Sequence, residues 1–154
     1  MKVKNSIYDV VINGCCLLLL TSVTVFVAAV WESIPAVVPM HHNFAGEVDR
    51  WGSKGEMILL PVIAWAMYLL ITLLERFPDI WNTGIKITEE NRGRAYRTLK
   101  NLIATMKLIL VGVFVFLTVE TALTLRLPAW FLPLTLGILF GDIAYWIWKL
   151  VRIK

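Results

Sequence analysis

The chain alternates long apolar runs with shorter polar stretches, and the lengths of the runs set the first expectation. Residues 7–31, 57–74, 108–125 and 130–150 are apolar almost throughout. A bilayer core about 30 Å thick is crossed by about 20 apolar helical residues, so each run predicts a transmembrane helix. The expected fold is all-α and integral to a membrane, a single domain over residues 1–154. Four spans are expected, with a loop at 32–56 after the first and an amphipathic segment at 75–107 before the third.

Local signals refine these elements. Pro35, Pro39, Gly46, Gly52 and Gly55 break up the first polar stretch, with a turn expected at Asn43 to Gly46. Pro61 falls in the first turns of the second span, where a missing N–H costs least. In the second polar stretch Thr88 is a good N-cap, and Glu89 and Glu90 suit the positive end of a helix. Beyond them Tyr96, Leu99, Leu102, Ile103 and Met106 recur at helical spacing opposite Arg92, Arg94, Arg97 and Lys100. That pattern predicts a basic amphipathic helix at the membrane surface, running into the third span. The short connection Arg126-Leu127-Pro128-Ala129 makes the last two spans an antiparallel pair, and Gly137 with Gly141 permits close helix approach on the fourth.

Composition strengthens the membrane assignment. The chain is 58% hydrophobic, against about 45–50% for an average soluble domain. Lys2 and Lys4 before an apolar run resemble a signal peptide, but the run exceeds the usual signal core of about 7–15 residues, so an uncleaved first span is expected. Asp9, near its start, is expected at headgroup level. The adjacent Cys15 and Cys16 read as small packing or lipid-facing residues rather than a disulfide.

Charge placement then sets orientation. If the N-terminus is cytoplasmic, the inner side holds Lys2, Lys4, Arg76, Lys86, Arg92, Arg94, Arg97, Lys100, Lys107, Lys149, Arg152 and Lys154. Only Arg50, Lys54 and Arg126 of the 15 basic residues lie outside. This asymmetry predicts a multi-pass membrane protein with both termini cytoplasmic and the 32–56 loop outside. The net charge of +4 therefore reflects topology and anionic lipid, and no nucleic-acid partner is expected.

Two places carry candidate chemistry. Glu120 and Asp142 lie within apolar spans, where an ionisable group costs about 2.5–3.5 kcal/mol to insert and is expected to face the bundle interior. Each is read either as a proton or ligand site or as a structural hydrogen-bonding group. The loop offers His41, His42, Glu47 and Asp49 as candidate metal ligands. Adjacent histidines on extended backbone point oppositely, which works against their sharing one ion. No HExxH or CxxC supports a hydrolytic or thiolate site. In the alternative reading His41 and Asn43 hydrogen-bond within the loop, and Asp49 pairs with Arg50 or Lys54.

Pro39-Met40-His41, then Asn43, Gly46, Asp49, Trp51-Gly52-Ser53-Lys54 and Pro61 resemble the signature of a bacterial multispan membrane family of unknown function. Its members read as proline, any residue, histidine, aromatic, asparagine, two residues and glycine, then aspartate, tryptophan, glycine, serine and lysine. Thr88-Glu89-Glu90-Asn91 with Tyr96 resembles the family's inner segment. His42 stands where an aromatic is usual and Val48 where proline is frequent. The same domain forms the N-terminal part of the immunity protein against the sporulation-delaying peptide toxin, where further spans follow it. The resemblance implies a multi-pass protein of the bacterial inner membrane, and the leading expectation is that it recognises a peptide or small-molecule ligand through His41, Asn43, Asp49, Trp51 and Lys54. A small transporter or membrane enzyme using Asp142 and Glu120 is the competing class, and a subunit that binds another membrane protein is a third.

Overall fold

The computed structural model describes residues 3–153. Lys2 and Lys154, both counted in the charge asymmetry, lie outside them. Helix α1 spans Ile7–Val30. Ser6 caps it: the Ser6 hydroxyl accepts from Asp9 N, and the Asp9 carboxylate accepts from Ser6 N at 2.6 Å. A single 3-10 turn, Trp31–Ser33, ends the helix. Strands β1 (Val37–His42) and β2 (Val48–Ser53) follow, then a short α2 (Lys54–Met57), α3 (Leu59–Leu74), α4 (Arg92–Ala122) and α5 (Phe131–Val151). Four helical stretches are long and apolar enough to cross a membrane: Ile7–Ser33, Lys54–Leu74, Arg92–Ala122 and Phe131–Val151. The chain is thus a multi-pass membrane protein, and Leu18, Leu70 and Phe140 belong to a large exposed apolar surface suited to lipid.

The break between α2 and α3 has a local cause. Pro61 has no N–H to donate to the Met57 carbonyl one turn earlier, and helical bonding resumes at Val62 N to Ile58 O, 3.2 Å. α4 is the central element, with α1, α3 and α5 each packed along it. The stripe Ile12, Cys16 and Leu20 of α1 buries against Ala104 and Val111 of α4 and Ala64 and Tyr68 of α3. Cys16 is therefore a packing residue, while its neighbour Cys15 is exposed. Near the hairpin, Val23, Val27, Ile34, Val38, Met57 and Ala122 form a second cluster.

Two expectations need correction. The fold is not purely helical, because the polar stretch after α1 forms an antiparallel β-hairpin. The basic amphipathic segment runs into the third span as expected, the helix continuing without interruption from Arg92 to Ala122. Thr88 and Asn91 exchange hydrogen bonds just ahead of it, Thr88 N donating to Asn91 Oδ1 at 2.9 Å and Asn91 N to Thr88 Oγ at 3.3 Å. Part of the basic face points inward, Lys100 and Lys107 being 3% and 0% exposed. Asp9 at the start of α1 is buried by the protein itself, 2% exposed. Arg97 and Lys100 supply the reason, at 2.8 and 3.7 Å from Asp9 Oδ2. Only protein cations make such burial of a carboxylate tolerable.

Gly137 and Gly141 are not used for close packing within the chain, since a Cβ at either would meet nothing within 4 Å.

Candidate functional site

The hairpin closes over the ends of α4 and α5. Its register runs Val37 to Ser53, Val38 to Gly52 and Pro39 to Trp51, then shifts so that His41 faces Arg50 and His42 faces Val48. Met40 and Asp49 fall at the two shifts, unpaired across the ladder. Such bulges rotate the side chains that follow them. Here His41 Nδ1 comes within 2.5 Å of Asp49 Oδ1. Gly52 lets two side chains pack close to the strand: a Cβ there would lie 2.7 Å from Met40 Cγ and 2.9 Å from the Glu56 carboxylate, which would have to shift.

The turn is built by Asn43. Its Oδ1 accepts from Ala45 N at 2.9 Å and Glu47 N at 3.0 Å, and its Nδ2 donates to Glu47 Oε2 at 3.0 Å. Gly46, at φ +78°, completes the turn and rests on the α4–α5 connection. A Cβ there would penetrate the Leu127 carbonyl oxygen, so only glycine allows the tip to seat.

Beneath this roof lies a cavity of about 550 Å³. His41, His42, Asn43 and Asp49 form its polar side, and Val113, Leu117, Phe131 and Leu132 much of its apolar floor. Phe44, 92% exposed at the tip, stands at its edge. Three of the sequence-predicted binding residues, His41, Asn43 and Asp49, are thus brought together. Trp51 and Lys54 are not among the lining residues. Trp51 is exposed on β2, and Lys54 ties α2 to the end of α1: its Nζ donates to Trp31 O at 3.0 Å and lies 4.6 Å above the Trp31 ring. Arg50 pairs with Glu56 at 3.1 Å rather than with its neighbour Asp49.

His42 has a separate setting. Its Nε2 is buried without a hydrogen-bond partner among the described residues, as is Glu120 Oε2. Burial holds the His42 pKa below the usual 6.5, and the nearby His41 adds to the effect; Asp49, Glu120 and backbone hydrogen bonding at Leu125 oppose it. The neutral ring is therefore the form the fold prefers. Stability from His42 is fully present above the unfolded pKa near 6.5 and is lost as pH falls through the lower folded value. Thermal unfolding between about pH 7.5 and 5 should show this loss, and His42→Gln should flatten it. An unchanged slope in the variant would assign the pH dependence elsewhere.

Among the described residues, no three His, Cys, Asp or Glu side chains converge closely enough to hold a metal ion. His41 and Asp49 meet, but Glu47 is engaged with Asn43, and the buried His42 Nε2 has no partner among the described residues. Asp142 has structural partners, accepting from Thr105 Oγ at 2.8 Å and Trp146 Nε1 at 3.0 Å.

Residues 17–65 match a domain family of unknown function, DUF1648. The matched segment contains the later turns of α1, the whole hairpin and the start of α3, so it includes the roof of the cavity but not its floor. An uncharacterized protein of Archaeoglobus fulgidus is 37% identical over 76 residues, covering 40% of this chain and 42% of that protein. The chain therefore spans less than half of that relative's length. No solved structure matches.

The lining from α4 and α5 escaped sequence reasoning, since Leu117 and Phe131 are indistinguishable there from lipid-facing residues. Phe44 had a signal: an aromatic residue in a short polar turn has no core to enter.

Proposed function

We propose that this protein recognises an amphipathic ligand, a peptide segment or small molecule, at the cavity beneath the β-hairpin. The observation that carries the reading is the division of that cavity into a His–Asn–Asp rim and an apolar floor. Ligand sites commonly combine an apolar cavity of about 300–1,000 Å³ with a few placed polar groups. The His41–Asp49 pair orients one imidazole, leaving Nε2 to bond a ligand, and exposed Phe44 offers a face to its apolar part.

In this reading the hairpin lies outside the cell, as the lysine and arginine asymmetry suggests, and the ligand arrives from there. Resistance to a membrane-active peptide is the biological role that best fits such a site, and the resemblance of the hairpin motif supports it. The rival use of Asp142 in transport is weakened by its two hydrogen bonds to Thr105 and Trp146.

Cells expressing His41→Ala or Asp49→Ala should lose protection against the membrane-active peptide by about tenfold or more, the loss expected from one charge-assisted hydrogen bond. Membrane insertion, followed by immunoblot of the membrane fraction, should be unchanged, because both side chains are largely exposed. Full protection by both variants would remove the proposed role of the rim.

A further inference from the structure

The opposite end of the bundle, where α1 begins and α5 ends, holds a second cavity of about 720 Å³ between α1 and α3. These two helices pack mainly on α4 rather than on each other, which leaves a cleft between them. Val10, Gly14 and Leu17 form an apolar wall on α1; Thr72 of α3, with Glu75 and Arg76 just past its C-terminal end, lines the other side.

The cations inside this region are already engaged. Lys107 Nζ donates to Asn13 Oδ1 at 2.8 Å and Thr72 Oγ at 3.2 Å, and lies 2.9 Å from Glu75 Oε1. Lys100 Nζ donates to Asn5 Oδ1 at 2.7 Å and Val3 O at 3.2 Å. Arg97 is held by Asp9 and the Lys4 carbonyl.

Acceptors, by contrast, are in surplus. Asp9 Oδ1 is buried without a partner. The Glu75 side chain, 8% exposed, is paired at Oε1 with Lys107 Nζ at 2.9 Å, and its other oxygen has no donor among the described residues. A carboxylate buried to that degree and bordering a cavity calls for an N–H donor.

A bare cation fits poorly. Arg97, Lys100 and Lys107 already outnumber Asp9 and Glu75, and another positive charge would add to the excess. A group carrying both an ammonium and an anion leaves the balance unchanged. Arg76 stands next to Glu75 on the rim, exposed and without an ion pair among the described residues. Its guanidinium is shaped for phosphate.

We propose that this cleft binds a primary ammonium joined to a phosphate, the headgroup chemistry of an aminophospholipid. Glu75 receives the ammonium, Arg76 the phosphate, and the apolar wall of α1 lies along the attached chain. The same chemistry is offered by the surrounding leaflet or by a free amino-alcohol phosphate, and the test separates them.

The purified full chain is incubated in detergent with phosphatidylethanolamine, phosphatidylcholine or phosphatidylglycerol, and bound lipid is read by native mass spectrometry. Phosphatidylethanolamine should be retained about tenfold better than phosphatidylcholine, whose methylated ammonium has no N–H, and better than phosphatidylglycerol, which has no ammonium. Arg76→Gln should reduce that retention. Gly14→Leu should abolish it by filling the cleft, since a Cβ at Gly14 meets nothing within 4 Å and the added side chain has open space to enter. Displacement of bound lipid by soluble phosphoethanolamine would show that the headgroup alone suffices; its failure, with selective lipid retention intact, would assign the site to the bilayer lipid. Equal retention of the three lipids, or full retention by both variants, overturns the proposal.

Discussion

Gly46→Ala should be among the most destabilising single-methyl additions in the chain, lowering stability by about 3 kcal/mol. A residue with a side chain pays about 1–2 kcal/mol for left-handed backbone, and overpacking adds about 1–3 kcal/mol. Gly84 supplies the control. It also has positive φ, +63°, but a Cβ there meets nothing within 4 Å. Gly84→Ala should therefore lose only about 1 kcal/mol, the backbone component alone. The difference between the variants, measured by thermal unfolding in the same detergent, isolates the seating of the hairpin on Leu127. Equal losses would mean that the tip does not rest on the α4–α5 connection.

Lys107→Met should be comparably damaging for a different reason. The lysine is 0% exposed, and its removal leaves Glu75 as a buried charge without a counter-charge. Breaking one side of a buried pair typically costs about 3–5 kcal/mol. Asn13 Oδ1 and Thr72 Oγ lose their donor as well. The double replacement Lys107→Met with Glu75→Leu removes the stranded charge and should recover most of the loss. Denaturant unfolding of wild type, both single variants and the double variant gives the cycle. A double variant as unstable as Lys107→Met alone would show that packing, rather than charge pairing, sets the cost.

The spans were legible because their signal is local. Residues 7–30 and 131–150 need only their own apolarity to become helices in a bilayer. The hairpin was harder to read, since Pro39, two histidines and two register shifts interrupt the alternation that marks a strand. Its chemistry was partly readable: His41, Asn43 and Asp49 stood out as polar residues between spans and now line one cavity. Their pairings were not. Asp49 was expected to find Arg50 or Lys54 nearby in sequence, but successive strand residues face opposite ways, and the partner is His41.

The inward-facing cations show the larger gap. Arg97 meets Asp9 across 88 positions, a distance over which no periodicity carries information. Lys107 looked like the last residue before a span because charge usually ends one. Here the helix continues through it, with Asn13, Thr72 and Glu75 replacing the water it would otherwise need.

The uninterrupted run of α4 has a mechanical consequence. At 31 residues it is about 46 Å long, more than the hydrocarbon it crosses. Glu120, beside His42, and Arg97, beside Asp9, are thus fixed to one stiff rod with no proline joint between them. A tilt imposed at either tip must swing the other, so the two faces of the membrane share a single lever.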